Sequence, residues 1–195
     1  MKIIEAPNSV LSSKANSVRL PYPSDLPKVL AKMEKALLSA KDPKGVGLAA
    51  PQIGLDLRIF MAKPTEKSKI QVFINPKIIA SSVQQSASSK AKNKKLSVDK
   101  SASGGRRQRK LEGCLSLPSI WGTVKRSKDI KLYYLDEKGK PHIKKLSGFM
   151  SIIAQHEIDH LEGILFPRRV LEQKGKLYKS FKNEKNEDEF EELEL

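Results

Sequence analysis

The spacing of apolar and polar residues in the first part of the chain predicts one helix and two strands. Apolar side chains recur at three- and four-residue steps over residues 24–40, with Ser24 placed to cap a helix and Pro27 in its first turn. The short apolar runs 57–61 and 70–74 have the length and composition of strands. We therefore expect an amphipathic helix followed by two neighbouring strands.

The second part of the chain predicts a hairpin and then a buried helix. Residues 130–135 and 142–146 are strand-like runs on either side of a polar turn. Residues 149–161 are apolar on most faces, which is typical of a helix that is buried all round. Ser147 is placed to cap this helix, and Gly163 suits the left-handed position that follows a helix.

Length and composition indicate one globular unit. The chain has 195 residues, of which 38% are hydrophobic, enough for one buried core. No apolar run has the length of a membrane span, and the beginning lacks the pattern of a secretory signal, so we expect a soluble intracellular protein. A single cysteine cannot form an internal disulfide, so Cys114 is more informative as a ligand or nucleophile.

The formal charge of +15 is concentrated in one segment. Residues 84–110 contain nine Lys or Arg against one Asp, whereas residues 184–195 contain seven acids and one Lys. The stretch at about 81–110 has almost no large apolar side chain, so it cannot offset the entropy of ordering and should be a mobile, solvated insert. We expect a catalytic domain at 1–170 and a charged tail at 171–195, helical or frayed in its acidic part.

The sequence Gln155-His-Glu-Ile-Asp-His160 carries the clearest chemical signal. Its two histidines are four residues apart, so both rings lie on one face of a helix and can reach one metal ion. Glu157 stands beside the first of them. An HExxH pair suits hydrolysis, because a bound ion lowers the pKa of a water to about 7 and a nearby carboxylate can accept its proton. A chance surface pair is disfavoured, because unpartnered imidazoles on so apolar a helix would be costly.

The third protein ligand is less certain from spacing alone. The chain has three histidines, so the choice lies between His142, an acid and Cys114. His142 belongs to a polar hairpin and is assigned to the surface. Cys114 stands in the compact sequence Glu-Gly-Cys-Leu-Ser and is the better candidate, although a lone buried cysteine is most often an ordinary core residue.

Three separated segments resemble the signature motifs of the peptide deformylase family, in the same order. They are Gly45-Val-Gly-Leu-Ala-Ala-Pro-Gln52, Glu112-Gly-Cys-Leu-Ser116 and Gln155-His-Glu-Ile-Asp-His-Leu-Glu-Gly163. The resemblance implies an α+β fold with antiparallel sheets around a buried central helix carrying HExxH. It also implies hydrolysis of the formyl group from the N-terminal methionine of new polypeptides. The expected cofactor is one divalent ion held by Cys114, His156 and His160, with Fe(II) as the native metal and Zn(II), Ni(II) or Co(II) as substitutes.

The resemblance also implies roles around this ion. Glu157 would move the proton, while the Gln52 side-chain amide and the Leu115 backbone N–H would stabilise the tetrahedral oxyanion. An extended N-formylmethionyl peptide would pair with the backbone of Val46, Gly47 and Gly113 like an added strand. Helical spacing from His156 predicts an apolar wall for the methionine side chain, although ordinary core packing explains the same pattern. This wall consists of Phe149, Ile152 and Ile153.

Other functions remain open from sequence. An HExxH-type peptidase would give the two glycine-containing motifs no role, and a catalytically silent RNA-binding relative would not need Glu157. A deformylase fold acting on another formylated or acylated amine is the third alternative. The insert at 84–110 is expected to be a solvated loop, with attraction to ribosomal RNA phosphates as a second hypothesis. Without a leader, a bacterial cytosol is favoured over an organelle, and no membrane role is expected.

Overall fold

The computed structural model describes residues 2–40, 44–81, 111–184 and 188–194. In that part of the chain, three helices and two antiparallel sheets form the α+β fold that the sequence predicts, with short 3-10 turns at Ser9–Ser12 and Ala50–Ile53. In chain order the elements are α1 (Leu26–Ser39), β1 (Gly47–Ala49), β2 (Ile59–Ala62), β3 (Gln71–Ser81), β4 (Glu112–Cys114), β5 (Leu117–Gly122), β6 (Asp129–Leu135), β7 (Pro141–Ser147), α2 (Phe149–Leu161), α3 (Phe166–Glu172), β8 (Leu177–Lys182) and β9 (Asp188–Leu193).

The larger sheet, in the order β1-β2-β3-β6-β7, has a helix on each face. Side chains alternate across a strand, so neighbouring residues of β2 enter different cores. Ile59 and Met61 pack in the cluster that contains residues of α1. Phe60 packs with Ile153 and Leu161 of α2 in the other cluster. All four residues of β2 are therefore buried, which explains why this strand is continuously apolar.

The smaller sheet, in the order β4-β5-β8-β9, packs against α3. Its core joins Cys114 to Phe166, Val170 and Leu177. The acidic tail was expected to be helical or frayed, and it is neither, because it forms the edge strand β9. The antiparallel partner β8 is basic, and Lys176 and Lys182 pair with Glu192 and Asp188 at 2.7 and 2.8 Å. Opposite charges on these two strands favour their pairing, and the pattern of residues within the acidic segment alone does not reveal this.

The predicted helices form, but their caps differ from the expectation. Asp25 rather than Ser24 precedes α1. Gly148, with φ at 58°, precedes α2 without any side-chain cap, so the assignment of Ser147 as cap is wrong. The Gly148 N–H instead donates to the carbonyl of Lys128, at 2.8 Å. Gly163 follows α2 with φ at 70°, the left-handed conformation predicted for it.

The strands and the hairpin predicted in the middle of the chain are confirmed, and β3 is longer than expected because it continues from Gln71 to Ser81. The basic insert lies outside the described residues from residue 82 onward. The division at residue 170 into a catalytic domain and a tail stays a prediction. No helix in the described ranges has both the length and the apolar character needed to cross a bilayer.

Candidate metal centre and active site

One thiol and two imidazoles meet at the junction of the two sheets. Cys114 ends β4 of the smaller sheet, while His156 and His160 lie one turn apart on α2, which packs against the larger sheet. One ligand atom from each of these residues lies within 4.8 Å of the others. Cys114 Sγ is 3.1 Å from His160 Nε2. The structure thus brings together the three ligands that the sequence predicts.

The sulfur is placed by an irregularity in the β4–β5 pair. The register shifts between Gly113 and Cys114, so Cys114 pairs with Leu117 across a tight connection. Within this connection the backbone N–H of Ser116 donates to Cys114 Sγ at 3.4 Å, and Gln52 Nε2 approaches the same sulfur at 3.7 Å. Bulges often re-aim a side chain beside an active site, and this one directs the sulfur towards α2.

A network of mostly buried charged side chains is hydrogen-bonded to Nδ1 of His156. His156 Nδ1 lies 2.6 Å from Glu112 Oε1, and Arg126 donates to both oxygens of Glu112 at 3.0 and 2.6 Å. Arg126 also donates to Asp159 at 2.5 Å, and Asp159 accepts a further bond from Arg169 at 2.7 Å. Burial would raise the pKa of Glu112, but the hydrogen bonds from His156 and Arg126 outweigh it and lower this pKa to about 2.

These partners determine which ring nitrogen of His156 is available. Since Glu112 is an ionised acceptor, Nδ1 of His156 donates to it, and Nε2 is the ring nitrogen that can bind a metal ion once its own proton is released. Burial, with a contribution from the adjacent His156, holds the pKa of His160 well below its usual range, so this ring is neutral. Burial would also lower the pKa of His156, but the hydrogen bonds and charges of Cys114 and Glu112 outweigh it and raise this pKa well above its usual range. One cysteine and two histidines at this spacing can hold a single divalent transition metal, whose binding would release the protons of the thiol and of His156 Nε2.

Glu157 reaches the centre from the same helix and is 3% exposed. Its Oε2 has no hydrogen-bond partner among the described residues, which is costly for a buried acceptor unless a water or a substrate proton satisfies it. Burial raises the pKa of Glu157 to about 7, and a cation bound nearby would lower that pKa. A Cβ atom on Gly47 would lie 2.2 Å from Glu157 Oε1, so β1 can approach the carboxylate only because residue 47 is a glycine.

Gln52 is held rigidly beside the ligands. It lies in the second 3-10 turn and is 1% exposed. Its Oε1 accepts from the backbone N–H of Ala49 at 2.8 Å, which leaves the amide nitrogen to face Cys114 and the hydroxyl of Ser116, 3.3 Å away. Leu115, the next residue after the cysteine, lines a cavity that Gln52 and Cys114 also line.

A cavity of about 980 Å³ opens in front of these groups and contains most of the predicted site. Val46, Gly47 and Gly113 line it, together with Phe149, Ile152 and Ile153. Phe149 is 46% exposed and Ile153 is 4% exposed, so the wall runs from the surface to the core. His142 is separate from the ligand group, because it is bonded to Asp136 at 2.7 Å and stacked on Tyr134.

Sequence reasoning missed two parts of the site. Arg126, Asp159 and Arg169 carried no motif signal, apart from the position of Asp159 inside the HExxH segment. Trp121 lines the cavity, and its only signal was being the single tryptophan of the chain. Both omissions have the same cause, since these residues act through partners distant in sequence.

Together, the fold and a group of one cysteine and two helical histidines that could hold a metal ion are typical of a metal-dependent hydrolase. The sequence model of the polypeptide deformylase family matches residues 1–176, and the chain belongs to this family. Its members are hydrolases that remove the formyl group from newly synthesised polypeptides. The family likeness expected from the three motifs is confirmed.

Relatives and solved structures agree with this membership. The chain is 34% identical to the peptide deformylase of Christiangramia forsetii, over 92% of this chain and 86% of that protein. It is likewise 34% identical to the peptide deformylase of Borreliella burgdorferi, over 84% and 94%. The class I type b peptide deformylase of Acinetobacter baumannii superposes with a TM-score of 0.68 at 27% identity, covering 87% of this chain and 98% of that one. Peptide deformylase 1B of Arabidopsis thaliana gives 0.67 at 29% identity, covering 89% and 83%.

Proposed function

We propose that the cavity between the two sheets is where this chain removes the formyl group, with Cys114, His156 and His160 holding one divalent ion. The observation that carries the proposal is one carboxylate oxygen of Glu157, which has no hydrogen-bond partner in the described part of the chain. It is buried beside three atoms that could bind a metal, at the base of a cavity large enough for a peptide. A bound ion supplies Lewis-acid polarisation of the formyl carbonyl and of the attacking water.

We propose Fe(II) as the native metal, with Zn(II), Ni(II) or Co(II) able to replace it. The soft thiolate of Cys114 beside two neutral imidazoles supports this range of metals. Glu112 supports the site further, because it fixes the ring of His156 through Nδ1.

Glu157 takes the proton of the attacking water and returns it to the departing amine of methionine. One carboxylate can do both, since each transfer occurs at the base of the same cavity. The close packing of Gly47 against Oε1 limits the movement of the carboxyl group. Its burial keeps bulk water away during the transfer.

The Gln52 amide and the Leu115 N–H would stabilise the negative oxygen of the tetrahedral species. The support for Gln52 is its fixed orientation, because the bond from Ala49 to Oε1 leaves the N–H₂ group turned towards the ligand sulfur. Donors that are already oriented need no reorganisation when charge develops.

The substrate is an extended N-formylmethionyl peptide. β1 and β4 are edge strands of their respective sheets, and both line the cavity, so a peptide can add as a strand beside Val46, Gly47 and Gly113. Backbone pairing of this kind tolerates many sequences. The apolar wall of Phe149, Ile152 and Ile153 would receive the methionine side chain.

Formylmethionyl chains arise where translation starts with formylmethionine, so we place the enzyme in a bacterial cytosol or in an organelle that makes its own proteins. Its further proposed partner is the ribosome, attracted through the basic residues of 84–110, which lie outside the described residues. Deleting 84–110 should weaken ribosome association and reduce its salt dependence. If both are unchanged by the deletion, the insert has no such role.

The main test is anaerobic purification, metal analysis and deformylation of formyl-Met-Ala-Ser. Glu157→Gln should keep the metal while kcat falls by about 10²–10⁴-fold. Glu162→Gln is the matched control, because this carboxylate lies just beyond the same helix and is bonded to Lys14 and Arg58 instead. Its rate should stay within about twofold of wild type.

Two outcomes would overturn the proposal. Equal loss of activity in both glutamate variants would show that Glu157 has no special part in proton transfer. Cleavage of unformylated peptides at a comparable rate would indicate a peptidase instead.

A further inference from the structure

Residues of the C-terminal hairpin β8–β9 contact Trp121, a side chain that lines the cavity. The family match ends at residue 176, and the hairpin begins at Leu177, so the hairpin residues that contact Trp121 lie beyond the matched region. Trp121 belongs to β5, where it is the cross-strand partner of Gly113 on β4. Both residues line the cavity.

The indole ring lies directly over Gly113. A Cβ atom on Gly113 would be 2.8 Å from Cζ3 of Trp121, so the ring occupies the space where residue 113 would carry its side chain. The ring of Trp121 therefore covers the neighbouring strand β4 at Gly113. Since β4 is an edge strand, a peptide added beside Gly113 would meet the rim of this ring.

The hairpin fixes the orientation of the ring in two ways. Trp121 Nε1 donates to the hydroxyl of Ser180 on β8 at 3.1 Å. Phe190 on β9 packs edge-on against the indole, with ring centroids 5.9 Å apart and an interplanar angle of 88°. Residues of the hairpin therefore contact the indole both through its N–H group and through its aromatic ring.

We infer that the C-terminal hairpin is part of the peptide site, with Trp121 selecting apolar, above all aromatic, side chains shortly after the methionine. This rests on the proposed function, because it assumes that the peptide adds beside Gly113. Trp121 is the residue that contacts the substrate, and Ser180 and Phe190 are positioning residues that act through it.

The test compares three substrates, formyl-Met-Ala-Ser, formyl-Met-Phe-Ser and formyl-Met-Ala-Phe. Wild type should favour at least one aromatic peptide in kcat/KM by about two- to tenfold, the range expected for an aromatic pair, with the difference in KM. Trp121→Leu should reduce this ratio to about one, and Trp121→Phe should restore part of it. Phe190→Leu should lower the ratio at least about twofold, and Phe190→Tyr should retain it.

Phe181→Leu is the matched control, because Phe181 is 46% exposed and follows Ser180 on β8, so its side chain points to the opposite face of the sheet from Ser180, the partner of Trp121. Its ratio should equal that of wild type. A preference that is absent from wild type, or that survives in Trp121→Leu, would refute the inference. Failure of wild type to hydrolyse formyl-Met-Ala-Ser would instead refute the proposed function.

A second measurement does not depend on turnover. Trp121 is the single tryptophan of the chain, so intrinsic fluorescence reports on this ring alone. Adding the unformylated peptide Met-Ala-Phe to wild type should change the emission, and Met-Ala-Ser should change it less. Phe190→Leu should shift the emission of the free protein to longer wavelength. Identical responses to the two peptides would also count against the inference.

Discussion

Replacing Arg126 by methionine should show how strongly the proposed metal centre depends on a charged residue that is not one of its ligands. The guanidinium is 7% exposed and joins Glu112 and Asp159, each 10% exposed. Methionine keeps much of the length and apolar volume of arginine but leaves two buried carboxylates without their shared partner. Removing one partner of a buried ion pair costs about 3–5 kcal/mol.

The remaining contacts place the expected loss near the lower end of that range. Glu112 keeps the hydrogen bond from His156, and Asp159 keeps that from Arg169. We therefore expect Arg126→Met to lower the free energy of unfolding by about 3 kcal/mol. Arg169→Met is the control, because its guanidinium is 31% exposed and its loss should cost about 1 kcal/mol or less.

Urea unfolding of Arg126→Met, Glu112→Gln and the double variant, at fixed metal concentration, measures the interaction directly. The double-mutant cycle should give a coupling energy above about 1 kcal/mol. Metal affinity should also fall by about 10–100-fold in Arg126→Met, because Glu112 would no longer be fixed behind His156. A coupling near zero, with losses equal to those of Arg169→Met, would refute the reasoning.

Three further predictions concern the close packing at Gly47 and at Gly163 and the carboxylate of Asp136. Gly47→Ala should retain metal but lower kcat by at least about 100-fold, as displacement of the Glu157 carboxylate would spoil its alignment; unchanged turnover would contradict this. Gly163→Ala should destabilise the protein by at least about 1 kcal/mol more than Gly54→Ala in urea unfolding. Both glycines have positive φ, but a methyl at 163 would meet backbone at 2.7 Å, whereas one at 54 meets a side-chain end at 3.1 Å. The hydrogen bond from His142 is the main reason why the pKa of Asp136 is lowered from 3.8 to about 2. Its stabilisation is present above pH 3.8 and lost as the pH falls through 2, so Asp136→Asn should show a shallower loss of stability in that window; parallel curves would exclude this.

Local patterns predicted the elements whose physics is local. The apolar period of residues 149–161 gives α2, and the i, i+4 spacing places both histidines on one face of it. The hairpin β6–β7 follows from two apolar runs around a polar turn. Motif order then indicated Cys114 as the third ligand, although no local pattern could show that β4 ends beside α2.

The remainder depends on contacts between distant segments. Strand β9 has almost no apolar alternation, and it is stabilised by pairing with a basic strand rather than by its own pattern. The start of α2 at Gly148 depends on a carbonyl of residue 128, outside the helix. Arg126 likewise gains its importance from two carboxylates that are 14 and 33 positions away.

A cation bound to the three proposed ligands would cross-link the two layers of the fold. Cys114 belongs to the smaller sheet, whereas the imidazoles are carried by the helix that packs on the larger one. Binding to the assembled arrangement alone stabilises it according to ligand concentration and affinity. Removing the ion with a chelator should therefore weaken the packing between the two layers before either sheet unfolds. The thermal unfolding transition should then become broader. Storage conditions that preserve the ion would then protect the architecture as well as the chemistry.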